Sequence, residues 1–354
     1  MAITVYPLPP QLTYSPYLDA LYAACDPQEF IIDRRSPRRS VFAMLLRSHP
    51  RLLHLHFFDA IIQRPGKLTT WLRMVAWIML LMLLRWRGVK IIWTAHNIEP
   101  HECYHPALAQ RTIHHLLKQC HAVTVHHHAT KRALIELYGE RAPITVIPHG
   151  HATQPFGPLP SRRVARQHLG FDTDTPVFLY LGMIRRYKGI EQLIDAMELM
   201  PHVHMVVAGH PSDRVYLSEL HQMTARRINV TLRPRFLPDQ EAAHYLAACN
   251  ALILPYRHIT TSGMLVAAQA AGITCIVPNL PPLLEQVKDG VTGFVYHAEH
   301  TNSLIQAIER CLQNEATEKI GAQARASLAK HTWPQIAQQF MRLYHDLYTD
   351  TSAV

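Results

Sequence analysis

Two stretches in the second half of the chain gather residue types that bind anions. Residues 259–272 read ITTSGMLVAAQAAG between the apolar runs 251–254 and 273–277, so the spacing predicts a turn and a helix joining two buried strands. Ser262, Gly263 and Met264 then open that helix with backbone N–H groups that have no partner inside it, and the helix dipole adds positive charge at the same point. A phosphate or diphosphate is what such a turn holds; the plainer alternative is a Ser N-cap followed by a Gly at a tight corner. Upstream, VFLYLGMIRRYKGIEQLIDAM predicts a strand over 177–181, a turn at Gly182, three cations at Arg185, Arg186 and Lys188, and then a helix. The cations fall at the carboxyl end of a strand, the edge where open parallel sheets bind ligands. Taken singly they are ordinary solvated surface charge.

In the first half, VKIIWTAHNIEPHECYHP predicts a buried strand over 89–93 running into His96, Asn97, Glu99, His101, Glu102 and His105. A strand end so dense in titratable groups suits acid–base chemistry, where a carboxylate or imidazole takes a proton from an attacking hydroxyl. Glu99 and Glu102 also fall in the first turn of a helix following Asn97 or Pro100, where negative charge is favourable in any case. His114, His115, His121 and the triplet 126–128 lack the spacing of a zinc helix, and no metal site is expected from them.

The elements that must hold these groups are those of an α/β chain long enough for two cores. At 354 residues, 48% apolar and 17% charged, two domains are expected. HATQPFGPLP, residues 151–160, reads as the linker, giving a first domain over 1–158, a second over 159–330 and a terminal helix over 331–354. That last helix carries Ile336, Phe340, Leu343 and Leu347 at helical spacing and is expected to cross back onto the first domain. The formal charge of +9 is lopsided: residues 1–160 hold 17 Lys and Arg against 9 acids, the remainder 18 against 17. A basic half attracts anionic lipid, phosphorylated substrates or nucleic acid alike, and no nucleic-acid recognition motif accompanies it. DRRSPRRS at 33–40 is either a solvated loop or a face toward such anions. In WLRMVAWIMLLMLLRWRG the residues 74–84 are apolar on every side, too few to span a bilayer, so this is either a buried crossover helix or an interfacial one with its Trp and Arg residues at the headgroups. LLHLHFFDAII alternates and puts His54 and His56 on one strand face. Six cysteines without C-x-x-C spacing and a start without a signal pattern point to reduced thiols in the cytoplasm.

In order, GMIRRYKG, VVAGHP, a FLPD loop, a strand ending in Pro255-Tyr256, TSG with its helix, and DGVTGFVY resemble the donor domain of GT-B glycosyltransferases of the family 4 type. The resemblance runs over about 177–312, and the T-x-H-N and P-H-E segments at 94–102 resemble the acceptor domain of the same enzymes. It implies two Rossmann-like domains facing across a cleft and a nucleotide-sugar donor. Lys188 and one of Arg185 or Arg186 would hold the diphosphate, with Ser262, Gly263 and Met264 on the same phosphates and Phe236 and Leu237 near the base. His96 would lie beside the donor sugar. If the reaction inverts the anomeric centre, Glu102 is the candidate proton acceptor, and Tyr14, Ser15, Asn97 and His101 are candidate acceptor contacts; Tyr14 and Ser15 are equally helix-start residues. The family's two glutamates would fall near Ile259 and Ala267, and neither is acidic. That departure points to a branch resembling the β-mannosyltransferases of bacterial exopolysaccharide assembly. The expectation is therefore a metal-independent hexosyltransferase using a GDP- or UDP-sugar and a polyprenyl-diphosphate-linked glycan, peripheral at the inner face of the cell membrane, with no cofactor and no nucleic acid. A soluble nucleotide-sugar hydrolase or epimerase, or a silent partner subunit, are the alternatives.

Overall fold

The computed structural model describes residues 2–12, 15–46, 50–58, 62–98, 103–314 and 317–349. The chain divides into two compact units, residues 1–150 with 333–354, and residues 151–332.

In the first unit, β1 (Ile3–Leu8), β2 (Phe30–Ile32), β3 (Arg51–His56), β4 (Lys90–Thr94), β5 (Ala122–Val125) and β6 (Ile144–Val146) form a parallel sheet in the order β2-β1-β3-β4-β5-β6. Helices α1 (Tyr17–Ala23), α2 (Pro37–Leu46), α3 (Lys67–Trp86), α4 (Pro106–Gln119) and α5 (His128–Tyr138) supply the crossovers. Both faces of the sheet are covered, which is why β1 and β3 are buried along their whole length rather than on alternate residues. One face packs Tyr6, Leu53, Leu55, Ile91 and Val123 with residues of α3 and α4. The other packs Val5, Leu52 and Ile92 against α1.

Helix α3 corrects the expectation drawn from its apolar centre. It runs for 20 residues, long and apolar enough by length and composition to cross a membrane, because LTTW and the arginine-bearing ends continue the helical turns beyond 74–84. Nor is it wholly buried: Thr70, Met74, Leu81 and Leu84 face the core at spacings near a helical repeat, while Leu68, Leu72, Met79, Met82 and Trp86 are exposed.

In the second unit, β7 (Val177–Leu181), β8 (His204–Ala208), β9 (Val230–Arg233), β10 (Ala251–Ile253), β11 (Cys275–Pro278) and β12 (Phe294–Tyr296) form a parallel sheet in the order β12-β11-β10-β7-β8-β9. Its helices are α6 (Arg162–Leu169), α7 (Ile190–Ala196), α8 (Arg214–Thr224), α9 (Asp239–Ala248), α10 (Gly263–Ala270), α11 (Pro281–Leu284), α12 (Thr301–Gln313) and α13 (Thr317–Ser327). The chain winds outward from β7 through β8 and β9, then reverses and places β10 on the other side of β7. Such a reversal opens a crevice at the carboxyl ends of the two strands. The 151–160 stretch belongs to this unit, because Phe156 and Leu159 pack on its core, so the division falls at Gly150 rather than at 158.

The last helix, α14 (Trp333–Thr349), returns to the first unit, where Ile336, Ala337, Phe340 and Tyr344 are fully buried with Tyr17, Leu18 and Leu21. Gly150 makes room for it: a Cβ there would meet the Trp333 ring at 2.4 Å.

Candidate active site

The segments that follow β7 and β10 lie at the carboxyl ends of two neighbouring strands of the second unit. After β7, Gly182 turns the chain, and Arg186–Lys188 form a single 3-10 turn closed by Gly189 in the left-handed region, φ +67°. Only glycine fits there, since a Cβ would stand 2.2 Å from the Pro255 carbonyl oxygen. That contact presses the Lys188 turn against the end of β10, and Arg257 N–H donates to the Tyr187 carbonyl at 3.0 Å. Lys188 Nζ then lies 4.0 Å over the Tyr256 ring and 4.8 Å over the Tyr187 ring. Desolvation under these rings, with Arg185 alongside, pulls the ammonium down to about 7 from its ordinary 10.5.

On the other side of Tyr256, its hydroxyl and the Ser262 Oγ hydrogen-bond at 2.9 Å. Ser262 is also the N-cap of α10, accepting from Leu265 N–H at 3.1 Å. The N–H groups of Gly263 and Met264, first in the helix, have no partner within it. Tyr256 therefore joins the cation and the helix start into one surface, which can hold a diphosphate by charge and by backbone N–H groups together.

The other donor-side candidates separate. Arg186 turns to Glu219, with both guanidinium nitrogens within 2.8 Å of the carboxylate, and stacks over Tyr216, so Arg185 is the arginine beside Lys188. Phe236 is 56% exposed, whereas Leu237 is buried in the core. In the sequence Tyr256 is named only as the end of a strand and not as a site residue; its position between the Lys188 and Ser262 motifs was the available signal.

In the first unit His96 follows β4, 5% exposed, stacked 4.0 Å from the Phe57 ring. Phe57 holds φ +47°, a costly backbone for a residue with a Cβ, and such strain gathers at functional sites. Both His96 ring nitrogens meet other histidines: Nε2 lies 3.1 Å from His56 Nδ1, and Nδ1 lies 3.3 Å from His126 Nε2. Burial pushes His54 down to about 3, His126 to about 4, and His56 and His96 well below the usual imidazole range. Asn97 is half-buried next to His96, and the Ser15 hydroxyl accepts from Tyr17 N–H at 3.4 Å at the start of α1. Tyr14, Glu99, His101 and Glu102 lie outside the described residues. Among the described residues no three His, Cys, Asp or Glu side chains converge as metal ligands.

Residues 161–327, the segment that holds the Lys188–Tyr256–Ser262 surface, match the family described as Glycosyl transferases group 1. The chain carries a group 1 glycosyl transferase domain. Over its length this glycosyltransferase is 25% identical to the GDP-mannose:glycolipid 4-beta-D-mannosyltransferase of Xanthomonas campestris pv. campestris, the match covering 95% of this chain and 89% of that one. The D-inositol 3-phosphate glycosyltransferase of Mycobacterium leprae is 27% identical over 54% of this chain and 46% of its own. Among solved structures, Anabaena HepE in complex with UDP and glucose superposes with a TM-score of 0.72 at 18% identity, covering 98% of this chain and all of that one. A glycosyltransferase from Rickettsia africae gives 0.73 at 14% identity over 99% and 100%. The glycosyltransferase thus has the GT-B fold, with two parallel six-stranded α/β units.

Proposed function

We propose that this glycosyltransferase transfers a hexosyl group, mannosyl first among the candidates, from a GDP- or UDP-sugar to a lipid-linked glycan at a membrane surface. The observation that carries the donor side is the Lys188–Tyr256–Ser262 arrangement at the strand-order reversal. Arg185, Lys188 and the start of α10 would neutralise the nucleoside diphosphate as it leaves, with no metal ion required for that step. The named activity of the Xanthomonas relative supports a GDP-mannose donor and a glycolipid acceptor.

For the acceptor, a polyprenyl-diphosphate oligosaccharide in surface polysaccharide synthesis suits the first unit's surface. Between Arg34 and Lys90 stand twelve Lys and Arg and one acid, Asp59. Phe42 and Leu46 on α2 and Leu68, Met79, Met82 and Trp86 on α3 are exposed within that same basic stretch. An apolar helix face beside these arginines matches an anionic bilayer, which supports a peripheral position at the cytoplasmic leaflet. His96 is assigned as the first unit's contribution to sugar recognition.

The test is incubation of the purified protein with radiolabelled GDP-mannose or UDP-glucose and a bacterial lipid extract, in buffer with EDTA. Label passing into the organic phase, lost on Lys188→Ala, is the expected result. Release of the nucleoside diphosphate without lipid extract would instead show a soluble hydrolase, conversion of the donor to an epimeric nucleotide sugar would show an epimerase, and no turnover of either donor would show a silent subunit.

A further inference from the structure

His126, His96, His56, Tyr22, His54, Thr94 and Thr124, all buried in the first unit, are joined in one hydrogen-bonded line whose proton positions can be solved. The Ile147 carbonyl can only accept, so His126, 2.9 Å away, donates from Nδ1. Burial keeps His126 neutral, so its Nε2 is an acceptor and His96 must donate from Nδ1. The same step passes to His56, which donates from Nδ1 to His96 Nε2, and its own Nε2 accepts from the Tyr22 hydroxyl at 2.9 Å. With the Tyr22 hydrogen so used, His54 donates from Nδ1 to the Tyr22 oxygen, and the Tyr344 oxygen also lies 2.8 Å from that nitrogen. His54 Nε2 then accepts from the Thr94 hydroxyl, which in turn is bonded to Thr124, both at 2.7 Å. One direction of donation satisfies every link, and it puts all four histidines in the same tautomer. Around His96, Phe57 stacks on one side, the Tyr17 ring stands edge-on at 4.7 Å, and Tyr17 also lies near His149 and Trp333.

We propose that His56 and His126 are positioning residues that hold His96 as a neutral imidazole with its hydrogen on Nδ1 and its Nε2 lone pair occupied. His96 therefore serves the transfer as a fixed ring and does not take the acceptor hydroxyl's proton. The kinetic part of this inference rests on the sugar-transfer reading above; the tautomer does not.

The substitutions follow the atoms. At 126, Gln places an amide oxygen where Nε2 accepts, whereas at 56, Asn places an amide N–H where Nδ1 donates. His126→Gln and His56→Asn should retain kcat within about threefold, while His126→Leu and His56→Leu lower it by about tenfold or more with donor KM little changed. Long-range ¹H–¹⁵N spectra of the full-length protein, assigned with these variants, should show His56, His96 and His126 protonated at Nδ1 and bare at Nε2 at pH 7. A His96 with hydrogen on Nε2, or on both nitrogens, overturns the inference whether or not the protein transfers sugar. Equal kcat in the Leu and amide variants, with folded spectra, overturns the positioning role. Absence of transfer by wild type with the tautomers as stated would instead fault the sugar-transfer reading alone.

Discussion

Lys188 sits where two demands conflict, since the rings that hold it in place also strip it of water. With its ammonium brought down to about 7, the group is roughly half charged at neutral pH, and a diphosphate arriving beside it restores the charge. Below about 7 the proton is already bound and binding takes up none; above it, binding takes up as much as one proton and affinity falls as pH rises. Calorimetric titration with GDP or UDP at pH 8, in two buffers of different ionisation enthalpy, should show this uptake, and Lys188→Arg should abolish it. The lysine and Ser262 are legible in the sequence because each lies in a local pattern of strand, turn and helix. The histidine line is not, because its links join β3, β4, β5 and α1, and only tertiary structure brings residues 22, 54, 56, 96 and 126 within bonding reach. The alternation of LLHLH does put His54 and His56 on one face, and their rings are 4.0 Å apart, but it says nothing about which nitrogens meet.

At the scale of elements, strand and helix order follow from hydrophobic periodicity, and β7 begins and ends where the apolar run does. Helix α3 shows where periodicity alone misleads. Apolar residues on every side suggest burial, yet the sheet offers only one face, so the other face must meet solvent or something apolar. If that partner is an anionic bilayer, replacing Met79, Met82 and Trp86 by Gln or Ser should release the protein from phosphatidylglycerol vesicles in flotation while leaving its circular dichroism unchanged. Arg38→Glu with Arg39→Glu should weaken binding to anionic vesicles by about 2 kcal/mol or more, at about 1 kcal/mol per cation, and should leave neutral vesicles unaffected. Equal retention of wild type and variants on vesicles would remove α3 and α2 from the membrane surface.

At the scale of the molecule, the two cores are distinct, and a ligand that binds one unit stabilises that unit. Differential scanning calorimetry should resolve two transitions, of which GDP or UDP raises the one belonging to residues 151–332. Deleting residues 333–354 should abolish the other, because Ile336, Ala337, Phe340 and Tyr344 are fully buried in the first core; a truncated chain that keeps both transitions would refute this. The two α/β units were legible from the order of motifs, whereas the strand orders appear only in the structure. The unit boundary was less so, since a proline-rich stretch looks like a tether even when Phe156 and Leu159 anchor it to a core.

The return of α14 has a consequence for how the protein is made. On the ribosome, residues 151–332 emerge as a finished sequence while the half synthesised before them still lacks Trp333 and the side chains that close over Tyr17 and Tyr22. The half translated first is the half that matures last, and a chaperone that shields nascent apolar surface would find its longest-lived client there.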